Sequence, residues 1–402
     1  MFSFFSFKTL LEATEASSDA HLKHLHHAEE NVFHPNAFDH THKSLENMHH
    51  QLKHGEKNNN MHVSTKADGS PSVVYGKHPK TGKFFVGTKS VFNKEPKINY
   101  THEDIDKNHG HAPGLAEKLK QSLEHLPKIM PKHGGVYQGD VMFGEHDKHH
   151  DSGGHIHFKP NTINYTVHKD HEKHEEISKA KFGVATHTKY EGTPHHEGTL
   201  DGMHSTFNKD AIKLKSHKDV HQSNLEFNHK GSTYENHDKV KEHLDKAKEI
   251  HSTFHQGHLD AIHHHGAMFK TYVNSKIREG KSDTSVKDYH DYAHNKLTKE
   301  VDKMKSEKGK EKKEAVKTDF LNHLKEHKDT LHKAIQVHDH IQKAKDHIVH
   351  AMNSATHEYG HSVNGEKTQP EGYVAVHHGV PVKLVHRHEF SKLNFDNSAN
   401  RK

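Results

Sequence analysis

The chain has 402 residues, enough for two or three domains, but only 30% of it is hydrophobic and its mean hydropathy of −1.07 leaves much of it outside any core. With no cysteine and no tryptophan, disulfides and thiolate zinc sites are excluded, and no apolar run approaches a membrane span, so a soluble protein with no membrane partner is expected. The formal charge is +4, yet 55 histidines would make the chain a polycation below about pH 6, and because arginine occurs only at 278, 387 and 401, phosphate binding must rest on lysine and backbone N–H groups.

Residues 4–13 predict a short amphipathic helix, and Met1–Phe7 lacks the basic start and apolar stretch of a secretory signal. Leu10-Leu11-Glu12 before Ala13 also resembles the capsid-targeting peptides of large tailed phages, which would imply packaging and cleavage after Glu12. Leu22, Leu25, Ala28 and Val32, then Leu45, Met48 and Leu52, predict two short helices broken at Pro35 and packed on a domain edge. From Val63 to Val91 the pattern turns to strands, with residues 77–83 as a hairpin turn between Val73-Val74-Tyr75 and Phe84-Phe85-Val86. A helix is predicted over 114–126, and strands over 136–143, 163–167 and 182–187. Sparse apolar stripes then follow, Val240, Leu244, Ala247, Ile250 and Phe254, and later Phe320, Leu324, Leu331, Ile335, Ile341 and Ile348, which predict amphipathic helices joined by a charged break at 305–313. The expected organisation is therefore an N-terminal helical segment over 1–60, a sheet-rich domain over 61–204, a His- and Lys-rich helical insertion over 205–360, and a return to the sheet domain over 361–402.

Five short motifs fall in order along the sheet-rich parts. Lys66-Ala67-Asp68-Gly69 joins a lysine to an Asp-Gly turn, and Gly87-Thr88-Lys89-Ser90 follows a strand. Gly139-Asp140 lies inside Val136–Phe143, Glu371-Gly372 precedes a strand, and Lys383 stands in Val382–Val385. In this order they resemble the polynucleotide ligase and messenger-RNA capping nucleotidyltransferase superfamily. The resemblance covers roughly 61–190 and 368–395, and implies an α+β fold with ATP-grasp-like antiparallel sheets and helices, interrupted here by the long helical insertion.

It also implies roles. Lys66 would be the nucleophile that takes AMP from ATP, with Thr65, Asp68 and Gly69 around the nucleotide and Lys89 as the basic clamp. Asp140, where the family usually has glutamate, and Glu371 would serve Mg²⁺, with Mn²⁺ as an alternative, and Lys383 would meet the α-phosphate. Phe182 reads either as a base-stacking residue or as core. The family commonly carries two lysines one residue apart in the last strand, whereas Pro381 and Val385 flank Lys383 at that spacing. The few residues after the last motif leave no room for an appended oligonucleotide-binding barrel, which favours a minimal ligase-like enzyme joining DNA or RNA ends in a phage-infected host cytoplasm, or carried in the virion. The lysines of the insertion would then contact phosphates without reading sequence. The alternative is a His- and Lys-rich virion-internal or nucleic-acid-binding protein whose ligase-like domain is degenerate.

His357-Glu358-Tyr359-Gly360-His361 fits the zinc-protease pattern, but Gly360 weakens the helix that such a site needs. Clusters such as His263-His264-His265 and His149-His150 read as adventitious metal binders, part of a chain-wide property.

Overall fold

A computed structural model describes residues 26–34, 37–55, 61–196, 198–206, 212–227, 236–354 and 357–391; Leu10-Leu11-Glu12 and Pro35 lie outside them. The described strands are β1 (Met61–Lys66), β2 (Ser72–Lys77), β3 (Phe84–Gly87), β4 (Val136–Phe143), β5 (His149–His150), β6 (Ile156–Phe158), β7 (Asn164–Val167), β8 (Phe182–Glu191), β9 (His204–Thr206), β10 (Val220–Gln222), β11 (Gly360–Val363), β12 (Glu366–Lys367), β13 (Gly372–His377) and β14 (Val380–Leu384). The helices are α1 (Phe38–His54), α2 (His102–His109), α3 (Pro113–His125), α4 (His174–Lys179), α5 (His237–His251), α6 (Gln256–Arg278), α7 (Val286–Asp302), α8 (Glu307–Glu326) and α9 (Lys328–Met352), preceded by a 3-10 helix over Ala28–Phe33.

The strands form three sheets, ordered β1-β13-β14, β10-β8-β4-β2-β3 with β9 on β8, and β12-β11-β7-β6-β5. Every pairing is antiparallel except the short parallel contact of β10 with β8. The fold is thus α+β, as the alternation of β-branched runs and helical stripes predicts. In the first sheet Met61, Val63, Tyr373, Ala375, Val382 and Leu384 turn one face into the same core as α1 and α5 to α9. In the second, Val73, Tyr75, Val141, Phe182 and Val184 pack against Ile105 of α2 and Leu119 of α3. A further core joins Ala67, Met142, Phe143 and Val385 to Phe158 and Tyr165 of the third sheet.

The helix ends follow their sequences. Thr101 and Asp104 cap α2 reciprocally, Asp104 N–H donating to Thr101 Oγ1 at 3.2 Å and Thr101 N–H to the Asp104 carboxylate at 3.1 Å. Pro113 occupies the first turn of α3, where no N–H is needed. The predicted charged break at 305–313 is displaced: Ser306 accepts from Gly309 N–H at 3.2 Å and starts α8 at Glu307. Lys and Glu are good helix formers, and the pairs Glu307–Lys310 and Glu314–Lys317 keep the run helical.

Two expected boundaries also shift. β10 places residues 220–222 in the second sheet, so the helical region starts at α5 rather than at 205, and β11 pairs with β7 from Gly360. Of the helix predicted around Leu22, Leu25, Ala28 and Val32, the described part, Ala28–Phe33, is a 3-10 helix, and with α1 it packs into the helical core rather than on a domain edge, where Phe33 stacks on Phe269 of α6 at 4.5 Å.

Candidate functional site

Lys66 is the last residue of β1 and pairs with Gly372, so β1 delivers it beside Glu371 although 305 positions separate them. Val63 and Tyr373 face the helices, so strand alternation turns Lys66 and Lys383 to the opposite face of the same sheet. Gly372 makes the approach feasible: at φ +151° it lies where a Cβ would come within 2.4 Å of Leu384 O and 2.7 Å of Val385 Cγ2. After Lys66 the chain crosses to the second sheet, where Ser70 N–H donates to Val141 O at 2.9 Å and Val141 N–H to Pro71 O at 3.0 Å. A Cβ on Gly69 would fall 2.6 Å from Asp140 Cβ, so only glycine lets this turn lie flat on β4.

The Lys66 ammonium, 30% exposed, forms a short ion pair with Glu371. Burial pulls the amine down, but Glu371, by charge and hydrogen bond, and then Asp140 and Asp68 outweigh it and hold Lys66 above its ordinary value. Burial keeps Glu371 above the usual carboxylate range even with Lys66 on it. Asp140 goes the other way: burial raises it, but His187, 3.7 Å away on β8, together with Lys66 and Ser72 brings it below its usual value. Lys383 is lowered to about 8 by burial and by Lys66, against the pull of Glu371 and Glu30. Lys89 opens a 3-10 turn after β3 and is lowered by burial, with Asp140 opposing. Lys66, Lys383, Lys89, Asp140 and Glu371 are therefore one electrostatic cluster where the first two sheets meet. Glu371 and Asp140 are the oxygen groups in it that could serve a hard cation such as Mg²⁺, which takes one or two carboxylates and completes its shell with phosphate and water.

Asp68 serves a different end. Its carboxylate accepts from Asn161 Nδ2 at 2.8 Å and from the N–H groups of Thr162 and Ile163 at 2.8 and 2.9 Å, while its own N–H donates to Tyr165 OH at 2.7 Å. It ties the Asp-Gly turn to the segment entering β7 and so shapes that turn. Thr65 alternates with Lys66 and shares the face of Val63, and its N–H donates to Leu225 O at 2.7 Å, so it turns away from the cluster. Phe182 is fully buried in the core beneath β4 and β8, stacked on His125 with ring centres 5.7 Å apart. Val141 shares that core, so Asp140 projects from the opposite face and Phe182 cannot stack on a base there.

Residues that sequence reasoning did not single out are His187 and Ser72, which complete the cluster around Asp140, Ser72 standing opposite it in the β2–β4 register, and Asn161, which holds Asp68. A histidine at 187 carries no signal among 55. The protease-like run is not helical, since Gly360 and His361 lie in β11 and Glu358 pairs with Lys173 at 3.2 Å and accepts from Asn224 N–H at 2.7 Å. Among the described residues one trio, Glu124, His125 and Glu145, brings ligand atoms within metal-binding spacing, away from these carboxylates. No helix among them is long and apolar enough to cross a membrane.

No curated protein and no solved structure matches the chain. A family model does match, over residues 22–399, and by that match the chain belongs to the family of unknown function DUF6267.

Proposed function

We propose that this protein is an ATP-dependent nucleotidyltransferase of the polynucleotide ligase type, with Lys66 as the residue that takes AMP. The observation that carries the reading is the convergence of Lys66, Glu371, Asp140 and Lys383, from four separate motifs, on one cluster. In the first step Lys66 Nζ, its proton lost to solvent, attacks the α-phosphorus of ATP; an N–P bond forms, the nitrogen gives up its second proton to solvent, and the bond to pyrophosphate breaks with pyrophosphate taking the electron pair. Mg²⁺ or Mn²⁺ held by Glu371 and Asp140 would neutralise the phosphates and, by its charge, lower the Lys66 amine. Lys383 stabilises charge on the α-phosphate, and Lys89 grips the ribose or the nucleic-acid end. AMP then passes to a 5′-phosphate and leaves as a 3′-hydroxyl attacks, joining the ends. The protein would work in the cytoplasm of a host infected by a tailed phage.

The test is incubation of the purified protein with Mg²⁺ and α-phosphate-labelled ATP beside Lys66→Ala. Acid-labile label that survives denaturation in the wild type alone is expected. Absence of label after removal of pre-bound AMP, with GTP and Mn²⁺ also tried, would overturn the reading.

One observation favours a second reading. Neither position at the family's lysine spacing from Lys383 carries a cation, since one is Pro381 and the other, Val385, is buried among Ala67, Met142 and Phe390. On that reading the chain is a His- and Lys-rich virion-internal or nucleic-acid-binding protein with an inactive ligase-like domain. Intact-mass measurement on particles, looking for cleavage after Glu12, tests the packaging it implies.

A further inference from the structure

Beneath the Lys383 strand lies a group of buried charges that neither reading uses. Lys345, in the last third of α9, is wholly buried, yet its Nζ has a defined set of partners: it donates to Val385 O at 2.7 Å and to Glu29 Oε1 at 3.2 Å, and pairs with Asp346 Oδ1 at 3.1 Å. Glu29, in the 3-10 helix over Ala28–Phe33, is equally buried and faces Arg387, whose Nη1 reaches Glu30 Oε1 at 3.1 Å. His27, just before that 3-10 helix, bridges the backbone of Lys383. A charge network of this kind stabilises a fold poorly, because an apolar side chain of similar volume does as well or better. What it supplies is placement.

The placement is directed at the cluster. Val385 follows the last β13–β14 pair, Tyr373 with Leu384, so its carbonyl has no ladder partner and Lys345 takes it up. Together with Leu384 O, the Val385 side chain and Cα crowd the place a Cβ would take on Gly372, next to Glu371, and Val385 shares a core with Ala67, next to Lys66. One ammonium on a helix thus fixes the residue that follows the Lys383 strand and braces the Glu371 turn. We propose that Lys345 is a positioning residue, through which docking of α9 onto β14 sets the places of Lys383 and Glu371. This rests on the ligase reading for its catalytic consequence, though not for its structural one.

The experiment compares the full-length protein with Lys345→Met, which fills the same volume without charge, using the exposed Lys241→Met as control. Three quantities are read: the melting temperature, the rate of lysyl-AMP formation across ATP concentrations, and the acylation rate of Lys383 relative to other lysines under trace labelling with mass spectrometry. Lys345→Met is expected to stay folded at 20 °C while Lys383 becomes several-fold more reactive. The maximal rate of AMP transfer should fall about 10- to 100-fold, as a misplacement near 1 Å would cause, with the ATP concentration for half-saturation changing much less. A purely structural lysine would lower the melting temperature and leave both Lys383 reactivity and the rate per folded molecule unchanged, and that result overturns the proposal. Should Lys345→Met not fold, Glu29→Gln, which weakens one of the ammonium's contacts and keeps the others, decides on the same readouts. If the wild type forms no lysyl-AMP while Lys383 reactivity still rises in the variant, the ligase reading fails and the positioning role stands.

Discussion

The cluster around Lys66 and the interior of the helical region bury polar groups by opposite means. Around Lys66 each charge is kept and answered by its opposite, Glu371 and Asp140 against Lys66 and Lys383. Where α6, α7 and α8 meet, by contrast with both that cluster and the charged Lys345–Glu29 group, the enclosed polar groups are histidines that stay neutral. His265 of α6 sits with Nδ1 3.0 Å from Tyr289 OH of α7 and Nε2 3.0 Å from His323 Nδ1 of α8. His264 and His327 lie tilted against the same His323 ring, with ring centres 4.5 and 4.3 Å away. Burial first, then mutual repulsion, puts His265 well below its usual value and His264 and His323 at about 4, with no carboxylate among the causes. The difference teaches that one composition can hold two electrostatic regimes: the paired regime resists acid, the neutral one does not.

The largest expected effect is acid melting of the helices. A histidine whose folded pKa is depressed contributes stability that is present above about 6.5 and is lost as pH falls through that value towards the folded one. For His264 and His323 the loss approaches about 3 kcal/mol each by pH 4, before solvent screening reduces it. Helical circular dichroism followed through urea melts at pH 7.5 and 5.0 should therefore show the midpoint falling, and His265→Phe should flatten that dependence. An unchanged or higher midpoint at pH 5.0 sinks the comparison. Lys66 behaves in the other sense: its folded value lies above 10.5, so its contribution is whole throughout this range and fades only in alkali.

Next in size is Glu371→Gln, which removes the partner of a mostly buried ammonium. It should destabilise the protein by about 1–3 kcal/mol and bring the Lys66 amine down, so that trace acylation at pH 8 labels Lys66 faster than in the wild type. Equal labelling would mean that Glu371 does not hold the proton there. Asn161→Ala should lower stability by about 1 kcal/mol, since the carboxylate of Asp68 keeps its backbone donors; a loss of several kcal/mol would assign Asn161 a larger part. Smallest is Asp245→Ala, which breaks an exposed i,i+4 pair with Lys241 and should leave the urea midpoint where it is in the wild type, because water and salt screen such a pair; a clear fall in the midpoint would count against that.

How far the sequence led depends on the range of the contact. β4 and the hairpin of β2 and β3 were legible from β-branched and aromatic runs around a glycine turn, and the stripes of α5 and α9 from helical spacing. α7 was not, because its buried face, Val286, Tyr289, Ala293 and Leu297, offers a single apolar residue per turn amid charge. β10 is three residues long and is a strand by virtue of its partner rather than its own propensity. At the candidate site, motif order alone put Lys66, Asp140, Glu371 and Lys383 together. Face was harder than membership: Thr65 and Phe182 each sit next to the right strand and point the wrong way, and period-2 alternation can be applied only once one partner's face is known.

The pairing of β1 with β13 has a consequence for how the molecule is made. Lys66 and Glu371 meet only after the intervening chain, nearly the whole helical region, has been synthesised and has brought β13 back. Contacts so distant along the chain are slow to form, because the entropy of closing the loop is lost before the contact is gained. The cluster is thus among the last features to assemble on the ribosome, and a nascent or truncated chain ending before residue 371 carries the lysine without its partner.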